Sequence, residues 1–171
     1  MRRLLLLRHT KSSWRDGSLP DIERPLGPRG RRAAPPIGVY LRDHGLAPQQ
    51  VLVSTAQRTR ETWNMVSLML GGEPLVRYDD KLYLADADEI LARIGKVPAT
   101  VETLLVVGHN PGIQELAVAL HEGEETDDFN RLDAKFPTGG LAIYEFDIDK
   151  WSDIATRSGH LVSFLTPRDL V

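Results

Sequence analysis

The sequence predicts an α/β fold in which a largely parallel sheet lies between layers of helix, and three observations carry that prediction. Short apolar runs alternate with longer amphipathic segments along the whole chain. Most of the runs lack polar alternation, as strands buried on both faces do. No repeat, low-complexity tract or long linker divides the sequence, so residues 1–171 read as one domain.

The first strand is LLLL (4–7). A helix follows over 28–44, where Pro35-Pro36 inside the span and Gly38 soon after predict a kink or a restart near Ala34. VLVS (51–54) is the second strand, and the helix over 57–70 sets Met65, Leu68 and Met69 at three- and four-residue spacing. PLVRY (74–78) and TLLVVG (103–108) continue the buried strands, separated by a helix over 86–95 and followed by another over 111–121. The acidic block EGEETDDF (122–129) reads as a solvated surface loop. The last two runs, GGLAIYEFDI (139–148) and HLVSFLTP (160–167), are joined by about a dozen residues, short enough to predict an antiparallel pairing and therefore a mixed sheet.

Composition narrows the chemistry. There is no cysteine, which excludes disulfides, thiolate nucleophiles and Cys-ligated zinc. The start, MRRLLLLRH, is too short in apolar residues for a signal-peptide core or a membrane span, so the expected location is cytoplasmic, with no membrane partner. Net charge is −3, but residues 1–60 carry 12 Lys+Arg against 4 Asp+Glu while residues 61–171 carry 9 against 20. The first third therefore favours an anion. A net acidic chain without a broad basic and aromatic stripe argues against nucleic acid as a partner. A local phosphate pocket fits better.

In an open α/β sheet, ligands bind where loops leave the carboxyl ends of the strands. Three such ends carry suitable residues: LLLLRHT with Arg8 and His9, VLVSTAQRTRET with Ser54 and Arg58, and LLVVGHNPG with His109 and Asn110. Arg58 falls in the first turn of its helix, where a phosphate also meets unpaired backbone N–H groups. If the three ends converge, two arginines and two histidines surround a space the size of one phosphoryl group. Guanidinium forks match phosphate oxygens and offset their charge, and a neutral imidazole is a nucleophile near pH 7. The arrangement needs neither metal nor cofactor.

These residues also carry a family resemblance. RHT after the first strand, Ser54, Arg58 and Thr62 in the S-x-x-x-R-x-x-x-T spacing, and GHNPG closely resemble the histidine phosphatase superfamily, which includes the phosphoglycerate mutases. LLLLRHTKSSW, ERPLGPRGRRAAP (23–35) and KFPTGGLAIYEFD (135–147) look like the compact SixA-type phosphohistidine phosphatases. The resemblance implies a phosphoglycerate mutase-like, three-layer sandwich with a mixed, mainly parallel sheet. It also implies roles: His9 takes the phosphoryl group, Arg8 and Arg58 hold its oxygens, His109 stabilises it in transfer, and water then hydrolyses the phosphohistidine. Thr10 stands where the common motif has glycine, and its hydroxyl is a candidate donor to phosphate. Ser12, Ser54 and Asn110 are further candidate substrate contacts, and Lys11 and Ser13 lie close by.

Many relatives supply a glutamate proton donor after the third strand, whereas YDDKLYLADADE (78–89) offers Asp79, Asp80, Asp86, Asp88 and Glu89 without a clear match. As individual residues these read as loop and N-cap acids. A phosphomonoester leaves as an alkoxide that needs a proton, while a phosphoramidate leaves from nitrogen more readily, so weak acid equipment favours phosphohistidine. The expected partner is a phosphorylated protein or a small phosphorylated substrate. A small-molecule phosphomonoester phosphatase is the alternative enzyme, and a phosphate-binding module without turnover the non-enzyme alternative. His44 reads as a helix C-terminal residue, His121 and His160 as residues at element ends without a role. Arg24, Arg29, Arg31 and Arg32 read either as the pocket mouth or as a solvated face.

Overall fold

The computed structural model describes residues 1–171. Its six strands are β1 (Arg2–Arg8), β2 (Gln50–Ser54), β3 (Leu75–Asp79), β4 (Thr103–Gly108), β5 (Leu141–Phe146) and β6 (Gly159–Leu165). They form one sheet in the spatial order β3-β2-β4-β1-β5-β6. The first four pair in parallel, while β5 runs antiparallel to β1 and β6 antiparallel to β5. The five helices are α1 (Pro28–Asp43), α2 (Gln57–Leu70), α3 (Ala87–Ile94), α4 (Gly112–Leu120) and α5 (Asp127–Ala134).

The leucine run of β1 explains the layering. Leu5 and Leu7 pack with Ile37 and Leu41 of α1 and Trp63 and Val66 of α2. Leu4 and Leu6 face the opposite way, into a core with Ile90, Leu116 and Leu132 of α3, α4 and α5. A strand covered by helices on both faces has no use for polar alternation.

Three sequence expectations change. α1 passes through Pro35 and Pro36 as one assigned helix instead of restarting near Ala34. The two missing N–H groups would have met the carbonyls of Arg31 and Arg32, both exposed residues whose carbonyls water can serve. β3 is an edge strand with Leu75 and Tyr78 exposed, so its apolar run is not buried on both faces. The acidic block is a loop only as far as Thr126, whose side chain caps the Phe129 N–H and starts α5. Phe129 and Leu132 then anchor that helix, a three-residue apolar spacing easily overlooked among acids.

Close backbone approach fixes two glycines. A Cβ on Gly38 would sit 2.3 Å from the Val66 carbonyl oxygen, so α1 and α2 touch there. One on Gly112 would sit 1.9 Å from the Ala85 carbonyl oxygen, at the start of α4 beside the site. Gly112→Ala is expected to destabilise the fold by about 1–3 kcal/mol, read as a lowered denaturant midpoint at unchanged slope. An unchanged midpoint would contradict this packing.

Register positions the site. In the parallel β1/β4 pair Arg8 lies opposite Gly108, and in the parallel β2/β4 pair Val53 lies opposite Val107. His9, His109 and Ser54 therefore leave three neighbouring strands at the same level and the same end.

Candidate active site

His9 and His109 meet with ring centroids 5.4 Å apart, tilted by 56°. Both are nearly enclosed, at 6% and 3% exposure. His9 Nδ1–H donates to the Thr10 carbonyl at 2.7 Å, which fixes the tautomer and leaves Nε2 with its free electron pair. His109 Nε2 lies 2.7 Å from Ser54 Oγ. The Ala56 N–H also donates to that oxygen at 3.4 Å, so the Ser54 hydroxyl hydrogen is free to bond His109 Nε2. In the tautomer where Ser54 donates to Nε2, the His109 proton lies on Nδ1, a buried atom with no partner in the protein.

Arg8 donates from Nη1 to the Phe136 carbonyl at 2.9 Å, and its buried Nε also lacks a partner. Arg58, 4% exposed, donates from Nη1 to the Asp21 carbonyl at 2.8 Å and from Nη2 to Asp21 Oδ2 at 3.0 Å. Asp21 was not among the residues expected from sequence. It stands in a short 3-10 turn, Asp21–Glu23, and gathers Arg58, Arg24 and the Tyr83 hydroxyl on one carboxylate. Tyr83 stands edge-on to His109 at 5.5 Å between centroids, so the segment after β3 contributes a phenol to the site. Of the expected acids there, Asp79 pairs with Arg93 at 2.6 Å, Asp86 caps α3, Asp80 and Asp88 are exposed, and Glu89 is half-buried in the first turn of α3 without an ion pair.

Four candidate substrate contacts prove to be engaged within the protein. The Thr10 N–H donates to Thr62 Oγ1 at 3.1 Å and its hydroxyl lies 3.3 Å from the same oxygen, tying the end of β1 to α2. Thr62 in turn donates to the Arg58 carbonyl. Ser12 Oγ accepts from Arg24 at 2.6 Å. Ser54 orients His109, as above. Asn110 donates to the Phe136 carbonyl at 3.0 Å and to Gln114, which braces the turn into α4. These side chains set the geometry of the histidines and arginines. Arg24, one of the residues read two ways, is buried beneath Trp14, its guanidinium 3.2 Å from the ring centroid. Arg29, Arg31 and Arg32 are exposed.

Burial, then the arginine charges, hold His9 down to about 4 against the opposing bond to Thr10. Burial, then His9 and Arg58, hold His109 down to about 3. Both imidazoles are thus neutral at pH 7. Since both values lie below about 6.5 for an unfolded histidine, the native state binds fewer protons than the unfolded one. Their stabilising contribution is full above pH 6.5 and is lost as pH falls toward about 4 for His9 and 3 for His109. Asp21 moves down to about 2, chiefly through the Tyr83 hydrogen bond and then its two arginines, against the effect of burial.

No group of three or more His, Asp or Glu side chains is placed to hold a metal ion. Two buried donors without partners, two guanidinium groups and a bare imidazole nitrogen suit a tetrahedral oxyanion.

Comparison with known proteins agrees. A family model described as the histidine phosphatase superfamily (branch 1) matches residues 4–83. A SixA-named protein from Nakamurella multipartitia is 34% identical, with 97% of this chain and 96% of that one covered at a TM-score of 0.85. The chain belongs to the histidine phosphatase superfamily. Its fold also matches the protein histidine phosphatase SixA solved with tungstate, at 21% identity and a TM-score of 0.79 over 99% of both chains. An uncharacterized protein of Mycobacterium leprae is 38% identical over 95% of this chain and 100% of its own length. No helix of this family member is long and apolar enough to cross a membrane.

Within this superfamily site, Ser54→Ala removes the hydroxyl that fixes the His109 tautomer. We expect kcat to fall about tenfold to a hundredfold with KM little changed, because Arg8 and Arg58 keep their anchors on the Phe136 carbonyl and on Asp21. An unchanged kcat would show that Ser54 does not position His109.

Proposed function

We propose that the protein hydrolyses phosphohistidine through a covalent phospho-His9 intermediate, without a metal ion. The observation that carries this is His9 itself: Nδ1 is locked onto the Thr10 carbonyl, and Nε2 is a neutral nucleophile among two arginines. Arg8 and Arg58 hold the phosphoryl oxygens, Arg58 exchanging the Asp21 carboxylate for them. His109 Nδ1–H donates to a third oxygen. Attack by His9 Nε2 forms a new N–P bond as the substrate's N–P bond breaks, and the leaving imidazole, protonated on its other nitrogen, departs neutral. Water then attacks phospho-His9, releases inorganic phosphate and restores the free imidazole.

The leaving group follows from the acids. Asp21, the carboxylate that reaches the site, is held at about 2 and is ionised at neutral pH, so it has no proton to give an alkoxide. Asp79 is paired with Arg93, Asp86 caps α3, and Asp80 and Asp88 are exposed. The SixA neighbour solved with tungstate is described as a protein histidine phosphatase, in keeping with this reading.

The test compares kcat/KM for a phosphohistidine-bearing protein with that for p-nitrophenyl phosphate. Phosphohistidine is expected to be the better substrate by at least about a hundredfold. The reverse order would make the protein a phosphomonoester phosphatase. In the same assay, kcat/KM should rise through about pH 4 and reach its plateau below about pH 6, because loss of the His9 proton exposes Nε2. A midpoint near 6.5, the value for an unperturbed imidazole, would contradict the buried nucleophile.

A further inference from the structure

A groove of about 1070 Å³ has Arg8, a residue of the site, in its lining. Pro137 and Phe164 form part of its apolar wall, and Lys11, Arg29, Arg32, Lys135 and Arg168 project around it. All five of these cations are exposed. None takes part in an ion pair within the chain. A further lining residue, Arg131, is already neutralised by Asp128 and Asp169. The chain has 24 Asp and Glu residues, yet none lines this groove.

Unpaired like charges around one concavity reinforce each other's potential and attract an anion. The cations come from the loop after β1, from α1, from the end of α5 and from the C-terminal turn, so they are spread over an open surface and not gathered on a single point. Small-molecule sites are enclosed with a few convergent polar groups, whereas here five exposed cations from four separate segments surround an open groove. Its distributed charge matches a string of carboxylates.

We propose that this groove docks an acidic segment of a phosphoprotein, the stretch flanking its phosphohistidine, so that the phosphoryl group enters at Arg8 and reaches His9. This rests on the phosphohistidine reading above and adds to it a charge rule for choosing among phosphoproteins. Arg8 is the joint between the two regions: it donates to the Phe136 carbonyl, and Phe136 leads directly into the groove residues Pro137 and Thr138.

The test uses a short fluorescent Glu-rich peptide without phosphate, its Gln counterpart, and fluorescence anisotropy. Wild type should bind the Glu peptide at least about tenfold more tightly at low salt, with the advantage lost at high salt. The variant R29E/R32E/K135E should lose that advantage while keeping the wild-type melting temperature, since all three residues are exposed. Equal binding of the two peptides, or a preference that survives charge reversal, would overturn the proposal. So would tighter binding of tripolyphosphate or of an RNA oligonucleotide than of the Glu peptide. Phosphohistidine peptides with the same two flanks should differ in KM at similar kcat. If neither is hydrolysed while the Glu peptide still binds, the phosphohistidine reading on which the proposal rests fails, and that failure is distinct from a failure of the groove to bind.

Discussion

His9→Ala is expected to abolish turnover of phosphohistidine, with a loss of at least about 10⁴-fold in kcat, while leaving phosphate binding within severalfold of wild type. The size follows from the role: without the imidazole no phosphoenzyme forms, and what remains is electrostatic help to a direct attack by water. Binding persists because Arg8 and Arg58 are anchored independently of His9, on the Phe136 carbonyl and on Asp21. Rapid-mixing kinetics for turnover and calorimetry with inorganic phosphate for binding separate the two. A variant that bound phosphate normally and still turned over at a tenth of the wild-type rate would remove His9 from the chemistry.

Arg58→Lys should be nearly as damaging, with kcat/KM down about 10²–10³-fold and inhibition by inorganic phosphate weakened in parallel. Retaining the charge does not rescue the function, because the present geometry uses the guanidinium fork: one nitrogen is fixed by the Asp21 carbonyl while the other meets its carboxylate. An ammonium is a compact point charge that cannot span both positions. In a site with Arg58 only 4% exposed, the strongly hydrated lysine head is also costly to bury. Steady-state kinetics with competitive phosphate inhibition checks this. A lysine variant within threefold of wild type would mean that charge alone suffices and that the fork has no part in holding phosphate.

The sheet was legible because β1, β2 and β4 are covered by helices on both faces and so read as unbroken apolar runs. β3 was misread for the same reason: PLVRY looks like a central strand, yet its place at the sheet edge is a property of topology that no local pattern records. α5 was hidden by composition, its Phe129 and Leu132 being too few to overcome the acids around them. At the site, Arg8, His9, Arg58 and His109 stood out because they sit at strand ends beside recognisable motifs. Asp21 and Tyr83 did not, because they meet across 62 positions of sequence and neither belongs to a motif. Thr10, Ser54 and Asn110 were picked out along the chain, and their tertiary hydrogen bonds tie them to Thr62, His109 and the Phe136 carbonyl.

Turnover by this route requires that His9 becomes phosphorylated. Rapid quenching of the wild-type protein with a phosphohistidine protein carrying labelled phosphorus, in alkali, followed by peptide mapping, tests it most directly. Label is expected on the peptide that contains His9, stable in alkali, lost in mild acid, appearing before free phosphate and absent from His9→Ala. Phosphate released at full rate with no label on the enzyme, or label at His109 instead, would contradict it.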